Sequence, residues 1–227
     1  MIRRILKWLF YALLVFVLGS TLWVVAYRFV DPPITFTQAA DGMWGNGLAR
    51  SWLPIERIDR DMVRAVISGE DGKFCEHSGF DRQAIEAAMR RNAAGGAVIR
   101  GGSTISQQTA KNVFLWQGGG YFRKGLEAWF TLLIENVWGK RRIMEVYLNV
   151  AETGIGTYGV EAGAWRYFRH GASALTPAEA ARIAAVFPLP KRRAAIDPRG
   201  FTRRYGNLIL RRMGPVARGS LDGCIYH

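Results

Sequence analysis

The sequence is poor in the residues that build metal centres and disulfide-rich scaffolds. Its 227 residues include only two cysteines and three histidines, and no cluster of them has the spacing of metal ligands. Cys75 and Cys224 could form a disulfide in an oxidising compartment. Because they lie far apart in the sequence, two free thiols are at least as good an interpretation. Repeats and strand-like alternation are also missing, so the sequence predicts a single, mainly α domain.

Acidic residues are scarce as well. The chain has 18 Asp and Glu against 31 Lys and Arg, which gives a net charge of +13. A protein this basic is attracted to anionic partners, which include nucleic acids, anionic lipid headgroups and lipids that carry a pyrophosphate. No Walker sequence is present, so a bound nucleotide is not indicated.

Charge is absent from one long N-terminal stretch. Trp8 to Tyr27 has no charged residue and is long enough to span a hydrocarbon core of about 30 Å. Arg3, Arg4 and Lys7 precede it, so the positive-inside rule predicts a cytoplasmic N-terminus and an exported remainder. A cleaved signal peptide is the alternative, but the stretch is too long and no small-x-small cleavage site follows. Export argues against nucleic acid as the partner.

The rest of the chain has the pattern of helices separated by glycine-rich loops. Asp59 and Asp81 are predicted N-caps, and Thr176 opens a capping box with Pro177 at the first helical position. A final basic helix is expected at about 201–213. The predicted segments are a cytoplasmic N-terminus with a transmembrane anchor (1–30), an extended linker (31–47) and the folded domain (48–227).

Glu70 is the first candidate catalytic residue. Val63, Ile67 and Glu70 stand at i, i+4 and i+7, so the carboxylate lies on the apolar stripe of its helix. A carboxylate there should border a cleft. Its charge is left open, because burial would raise its pKa and nearby cations would lower it. The alternative is a helix-end ion pair with Arg64 or Lys73.

A second block, GGSTISQQTAKN at residues 101–112, predicts a helix N-terminus. Gly101 and Gly102 allow a tight backbone, and Thr104 with Gln107 forms a capping box. Free N–H groups at this end would face an approaching anion, which makes a phosphate-binding turn one interpretation. An ordinary capped surface helix is the other, and the block by itself favours it.

Glu127 is the second candidate carboxylate. It lies on a helix whose core stripe is formed by other residues, with Arg123 four positions before it and Lys124 three before it. A surface ion pair worth a few tenths of a kcal/mol is one interpretation. A catalytic carboxylate in a basic setting, suited to a pyrophosphate, is the other.

One sequence pattern matches a nucleotide-binding motif without indicating a nucleotide site. Gly154, Gly156 and Gly159 match the GxGxxG dinucleotide-binding pattern, and Glu179 lies twenty residues beyond the last glycine. The pattern is expected to follow a helix rather than a strand, and the capping box of Thr176 accounts for Glu179. A nucleotide cofactor is therefore not predicted.

Taken together, the motifs resemble the glycosyltransferase domain of class A penicillin-binding proteins, a family of peptidoglycan transglycosylases. The matching stretches, in order, are EDGKFCEHSGFD (70–81), GGSTISQQTAKN (101–112), RKGLE (123–127), IMEVYLN (143–149) and GIGTYGVEAGA (154–164). Cys75 and Gly125 depart from the family pattern without removing a functional side chain. Ser-x-x-Lys and Lys-Thr-Gly are absent, so the chain resembles the monofunctional members, which lack the transpeptidase half.

The resemblance implies a lysozyme-like domain with two lobes around a cleft, preceded by one transmembrane helix. It also implies polymerisation of lipid II into β-1,4 glycan strands with release of undecaprenyl pyrophosphate. Glu70 would be the general base, and Glu127 would stabilise the leaving side. The implied substrate contacts are Asp71, Phe74, His77, Ser103, Thr104, Gln108, Lys111, Asn112, Arg123 and Lys124. Asp71, Phe74 and His77 would shape the pocket around Glu70, and His77 could equally be structural.

The resemblance makes no cofactor obligatory and leaves room for a divalent cation, Mg²⁺ or Mn²⁺, at the pyrophosphate. Expected partners are the lipid-linked substrates, the membrane and other cell-wall synthases, with the domain on the periplasmic side of the inner membrane. Two other functions stay open. A lytic or hydrolytic enzyme of the same fold would shorten finished glycan and need no pyrophosphate grip, and a non-catalytic scaffold would not need both glutamates.

Overall fold

A computed structural model describes residues 1–95 and 102–226 of the chain. Helices dominate this described part, which confirms the mainly α prediction. The helices are α1 (Ile2–Phe29), α2 (Phe36–Met43), α3 (Arg60–Glu70), α4 (Arg82–Ala93), α5 (Ile105–Phe114), α6 (Gly120–Val137), α7 (Gly139–Val150), α8 (Val160–Phe168), α9 (Pro177–Ala184), α10 (Gly200–Arg218) and α11 (Gly223–Tyr226). Three short strands are β1 (Ala49–Arg50), β2 (Glu152–Gly154) and β3 (Thr157–Tyr158).

The helix starts follow from local capping chemistry, as predicted. Asp59 and Asp81 accept hydrogen bonds from backbone N–H groups in the first turns of α3 and α4. Thr104 and Thr176 form complete capping boxes at the starts of α5 and α9, and Pro177 occupies the first position of α9. Each cap satisfies N–H groups that a helix start leaves without an intrahelical partner.

Two groups of helices build the domain. In one group α3, α9 and α10 pack against each other, and in the other α5 packs against α6 and α7. The buried core runs through both and includes Ile67, Ile105, Leu148 and Ile183, all without exposed surface. The C-terminal end of α3 meets α5 where the groups adjoin, and this junction positions the candidate site.

A small three-stranded sheet accompanies the helices of this mainly α domain. Strand β3 lies in the centre, parallel to β1 and antiparallel to β2. The strands have only two or three residues each, too few for a periodic pattern to be visible in the sequence. The sheet nevertheless joins the segment before α3 to the segment after α7.

The N-terminal helix is docked on the domain. Helix α1 is long and apolar enough to cross a membrane, with a mean hydropathy of 2.3 in its most apolar window. Its C-terminal half contacts α6, where Trp129 Nε1 donates to Ser20 Oγ at 3.0 Å. Trp138 Nε1 donates to the Val24 carbonyl at 2.7 Å. The anchor is thus held by hydrogen bonds as well as by the chain connection.

Two segments differ from the sequence-based expectation. Within the predicted linker 31–47, α2 starts at a capping box formed by Thr35 and Gln38 and packs against α5. The final helix α10 is longer than expected and continues through Pro215 to Arg218. The Thr35–Gln38 capping box is a local signal for α2, whereas the extension of α10 is stabilised by the buried Val216, which no local pattern indicates.

The two cysteines are paired. Cys75, in the loop after α3, forms a disulfide with Cys224 in α11, and their Cα atoms are 5.6 Å apart. The sequence left this question open because 149 positions separate the two residues. The fold brings them together by returning the C-terminus to the side of α3.

Candidate active site

Glu70 is the last residue of α3 and faces α5 across the junction of the two helix groups. Its Oε2 accepts a hydrogen bond from Gln108 Nε2 at 2.9 Å, whereas Oε1 is buried and has no hydrogen-bond partner among the described residues. The helix-end ion pair considered above does not form, because Arg64 binds two aspartates and Lys73 binds Gln83. The predicted position of Glu70 at the border of a cleft stays a prediction, and its bound partner Gln108 lines the cleft described below.

The surroundings of Glu70 favour its protonated form. Burial raises the pKa of this carboxyl above its usual range, and the nearby Asp71 carboxylate adds to the rise. The hydrogen bond from Gln108 and the positive charges of Arg193 and Lys111 act in the opposite direction without cancelling it. A carboxylate with a raised pKa binds a proton more strongly, which is the property that a general base needs.

The loop after Glu70 is fixed by Asp71 and His77. His77 Nε2 lies 3.0 Å from each oxygen of Asp71, and the Gly79 N–H donates to His77 Nδ1 at 3.2 Å. Since Nδ1 is the acceptor, Nε2 carries the proton and donates to Asp71. Phe74 is fully buried beneath the loop. Among the predicted pocket residues, these three therefore act here as supports of the loop.

The N-terminus of α5 is already occupied, which corrects the expectation of free N–H groups. The Ile105 N–H donates to Asp71 Oδ2 at 3.0 Å, so the anion that meets this helix end is a side chain of the protein itself. Thr104 is buried, accepts from the Gln107 N–H and donates to the Gly79 carbonyl. Its hydroxyl is thus engaged inside the protein, and Gly101 of the same motif lies outside the described residues.

A cleft of about 460 Å³ opens next to Gln108. The α5 side chains Gln108, Lys111 and Asn112 line it, so three predicted substrate contacts share one wall. Tyr147 OH donates to Gln108 Oε1 at 3.4 Å, which orients the amide with its nitrogen toward Glu70. Other residues on the walls are Thr35, Thr37, Gln117, Val150, Ala151, Glu152, Tyr158, Phe187, Pro188, Leu189, Pro190, Lys191 and Arg192.

Lys111 supplies positive charge to this cleft. Burial lowers the pKa of its ammonium, as do Arg123 and Lys124, while the carboxylates of Glu127 and Glu70 raise it. No hydrogen bond or ion pair to Lys111 Nζ is found within residues 1–95 and 102–226. A half-buried ammonium without a protein acceptor is suited to bind an anionic group of a ligand.

Glu127 lies in a basic setting on α6. Its side chain is buried, Arg123 Nη1 donates to Oε2 at 2.6 Å, and Lys124 binds Oε1. Lys124 also donates to the exposed Ser103 Oγ at 3.2 Å, which connects the second and third motifs. Because Glu127 is buried, its ion pairs with Arg123 and Lys124 are not surface ion pairs. Both carboxylate oxygens are held by cations, so Glu127 fixes where these cations point.

The residues present do not fit a protein-held divalent cation. Among the described residues, no group of three or more His, Cys, Asp and Glu side chains could hold a metal ion. Glu127 is the carboxylate nearest the predicted pyrophosphate contacts, and its oxygens already bind Arg123 and Lys124. A metal at Glu127 would have to displace these two cations.

Several residues near the cleft were missed by the sequence reasoning. Burial raises the pKa of Glu152 to about 7, and its Oε1 has no hydrogen-bond partner in the described part of the chain. Lys191 Nζ lies 3.8 Å from this oxygen and binds Asp41 at 2.8 Å. Arg193 lowers the pKa of Glu70 from a distance. The only available signal was the basic run at 191–193, because contacts between distant segments leave no local pattern.

The GxGxxG pattern is not a nucleotide site, although the predicted reason needs correction. Gly154 ends strand β2 and Gly156 lies in the turn before β3, so the glycines form part of an antiparallel hairpin. A dinucleotide site needs the glycines between one parallel strand and its helix. Gly156 and Gly159 have positive φ angles, and a Cβ there would lie within 3 Å of the Asn46 or Asn149 carbonyl oxygen. Backbone packing therefore explains these two glycines.

Comparison with known proteins agrees with the motifs. A family model described as Transglycosylase matches residues 38–214. A biosynthetic peptidoglycan transglycosylase of Caulobacter vibrioides is 49% identical over 225 residues, which cover 99% of this chain and 98% of that protein. Proteins of the same name from Xanthomonas axonopodis pv. citri (49% identity, 92% and 87% covered) and Pseudomonas syringae pv. tomato (47% identity, 94% and 92% covered) are also similar. The chain therefore belongs to the transglycosylase family.

Proposed function

We propose that this chain is a membrane-anchored peptidoglycan glycosyltransferase that polymerises lipid II into β-1,4 glycan strands. The observation that carries the proposal is the arrangement around Gln108. This residue donates to Glu70, a carboxylate with a raised pKa, and lines the same cleft as Lys111, a cation suited to bind an anion. The names of the similar proteins support the same reaction. A scaffold protein would not need a carboxylate held at a desolvation cost.

In the proposed reaction, Glu70 takes the proton from the 4-hydroxyl of the acceptor N-acetylglucosamine. The hydroxyl oxygen attacks C1 of the sugar at the lipid-linked end of the growing chain, and the bond from C1 to the pyrophosphate oxygen breaks. The α-linked donor becomes a β-1,4 linkage, and undecaprenyl pyrophosphate leaves with the electron pair. Gln108 holds Glu70 toward the cleft, and the proton ends on Glu70 until solvent removes it.

The leaving pyrophosphate gains negative charge, and the cations near α5 and α6 are proposed to stabilise it. Lys111 would bind it directly, and Arg123 and Lys124 would be held in place by Glu127. Cations that are fixed before the reaction stabilise developing charge without reorganisation. Asn112 and Ser103 would add neutral hydrogen bonds to sugar or phosphate, and Thr104 would contribute by holding α5.

If turnover needs a divalent cation, we propose that the substrate rather than the protein binds it. Because the protein offers no metal cluster in its described part, any Mg²⁺ or Mn²⁺ needed for turnover would be held by phosphate oxygens. No step is assigned to it. Chelation with EDTA during polymerisation measures the requirement, and activity that survives chelation would remove the cation from the proposal.

The proposed location is the inner membrane, with the N-terminus in the cytoplasm and the domain in the periplasm. The support is the charge asymmetry around α1, since Arg3, Arg4 and Lys7 lie on the N-terminal side of the apolar stretch. Other cell-wall synthases on the periplasmic side are the proposed protein partners. A reporter that is active only outside the cytoplasm, fused to the C-terminus, should be active. Activity of only a cytoplasmic reporter would overturn this topology.

The function is tested by incubating the purified full chain with lipid II and sizing the product. We expect lipid-linked glycan chains that lengthen with time. Incubation with finished glycan serves as the opposite assay, because a lytic enzyme would shorten that material and leave lipid II unpolymerised. Absence of both products from folded, membrane-inserted protein would favour a scaffold and reject the proposal.

A further inference from the structure

The last eight described residues, 219–226, form what we call the C-terminal strap. It follows α10, includes α11 and lies beyond residue 214, where the match to the family model ends. It packs back on the domain and contacts α7.

The strap is tied to α3, the helix that ends at Glu70. Asp222 is fully buried, and its carboxylate accepts hydrogen bonds from Arg60 Nε at 2.8 Å and from Arg64 Nε at 3.1 Å. On the other side, Arg141 Nη1 of α7 donates to the Ile225 carbonyl at 2.6 Å. A buried carboxylate shared by two guanidinium groups allows little freedom of orientation. The strap therefore braces α3 against α7.

The strap is also tied covalently to the loop that follows Glu70. The Cys75–Cys224 disulfide attaches to this loop between Asp71 and His77. Asp71 binds the Ile105 N–H of α5 and His77, so the loop is held at α5 on one side and at the strap on the other. Glu70, the last residue of α3, directly precedes this loop.

We propose that the C-terminal strap positions Glu70, with Cys75, Cys224 and Asp222 as positioning residues for the transferase reaction. This inference rests on the proposed function, in which Glu70 accepts the proton. The strap fixes both the helix before the carboxylate and the loop after it. Release of the strap lets the carboxylate drift from the acceptor hydroxyl, and displacements of about 1 Å can cost roughly 10²-fold in rate.

The experiment compares the oxidised full chain, the same protein treated with a dithiol, and the double variant Cys75→Ser/Cys224→Ser. The dithiol reduces the disulfide by giving it two electrons and two protons, which leaves two thiols on the protein. The reagent itself is oxidised to a cyclic disulfide. Rates are measured in detergent at a temperature at which circular dichroism shows all three forms folded. The double variant is the control, because the dithiol has no disulfide to reduce in it.

We expect kcat for lipid II polymerisation to fall by roughly 5- to 100-fold on reduction, with KM changed by less than about twofold. The double variant should start at the reduced level and not respond to dithiol, and reoxidation of the wild type should restore kcat. Asp222→Asn keeps the shape of the side chain and should lower kcat in the same direction. A lower unfolding midpoint with unchanged kcat in every form would show that the strap only stabilises, and would overturn the proposal.

A second readout separates this inference from the proposed function. Hydrogen exchange of residues 72–80 is measured in the oxidised and reduced full chain. If the strap holds the loop, exchange there should rise at least about tenfold on reduction. Unchanged exchange refutes the strap proposal. Failure of the oxidised wild type to polymerise lipid II would refute the proposed function instead, and increased exchange would then still support the holding of the loop.

Discussion

Replacement of Glu70 by glutamine tests the assignment of the base most directly. The substitution keeps the size and planar shape of the side chain and removes its ability to accept a proton. The amide oxygen can take the place of Oε2 and accept the hydrogen bond of Gln108 (2.9 Å). The amide nitrogen then takes the buried position of Oε1. That oxygen has no hydrogen-bond partner among the described residues, so no existing bond is broken there. The fold should therefore tolerate the change.

The expected cost follows from the role of the carboxylate. Loss of a positioned general base typically lowers the rate by about 10²- to 10⁴-fold, which corresponds to about 3 to 5 kcal/mol of transition-state stabilisation. Burial raises the pKa of the wild-type carboxyl, which makes it a stronger base than an exposed glutamate, so the loss should lie toward the upper part of this range. Because the base acts in the transition state, substrate affinity should be retained.

The assay combines polymerisation of lipid II with the affinity for a pyrophosphate-containing inhibitor. Glu76→Gln is the matched control, because Glu76 lies on the following loop and is exposed, and it should polymerise at the wild-type rate. A Glu70→Gln enzyme with near-normal turnover would refute the reasoning and make Glu127 the better candidate for the base. Loss of inhibitor affinity together with turnover would show that Glu70 binds substrate instead.

Three further outcomes are expected. Lys111→Met should weaken the affinity for pyrophosphate-bearing inhibitors as well as turnover, by roughly tenfold or more; unchanged affinity would place the pyrophosphate elsewhere. Gln108→Ala removes a hydrogen bond that lowers the pKa of Glu70, so the acidic limb of the pH–rate profile should move to higher pH; a shift to lower pH would contradict the geometry. Gly125→Ala should raise the unfolding free energy by about 0.5–1 kcal/mol in detergent, because no atom lies within 4 Å of the added methyl group; destabilisation would contradict this.

The sequence predicted those features that arise within a few residues of one another. Asp59 and Thr104 cap their helices as expected because an N-cap and the N–H groups it accepts from lie within one turn. The placement of Glu70 on a buried stripe follows from helical spacing in the same way. These features need no knowledge of the rest of the chain.

The features that escaped prediction depend on contacts between distant segments. The hydrogen bond from the Ile105 N–H of α5 to Asp71 joins residues 34 positions apart. The bond from Arg60 to Asp222 of the strap spans 162 positions. Nothing in the local pattern distinguishes Asp222 from an ordinary surface aspartate until the two arginines are seen around it. The pairing of Cys75 with Cys224 has the same origin, because two cysteines in a long sequence define no geometry by themselves.

The docking of α1 has a consequence for how the enzyme meets a bilayer. Arg142 binds the carbonyls of Tyr27 and Val30 at the end of α1 and forms an ion pair with Asp31. Trp138 fixes the helix one turn earlier. With these contacts formed, the tilt and rotation of the spanning helix set the height of the cleft above the lipid headgroups. Changes in bilayer thickness that alter helix tilt would then change the distance between a membrane-bound substrate and the cleft, so the membrane itself becomes a determinant of substrate access.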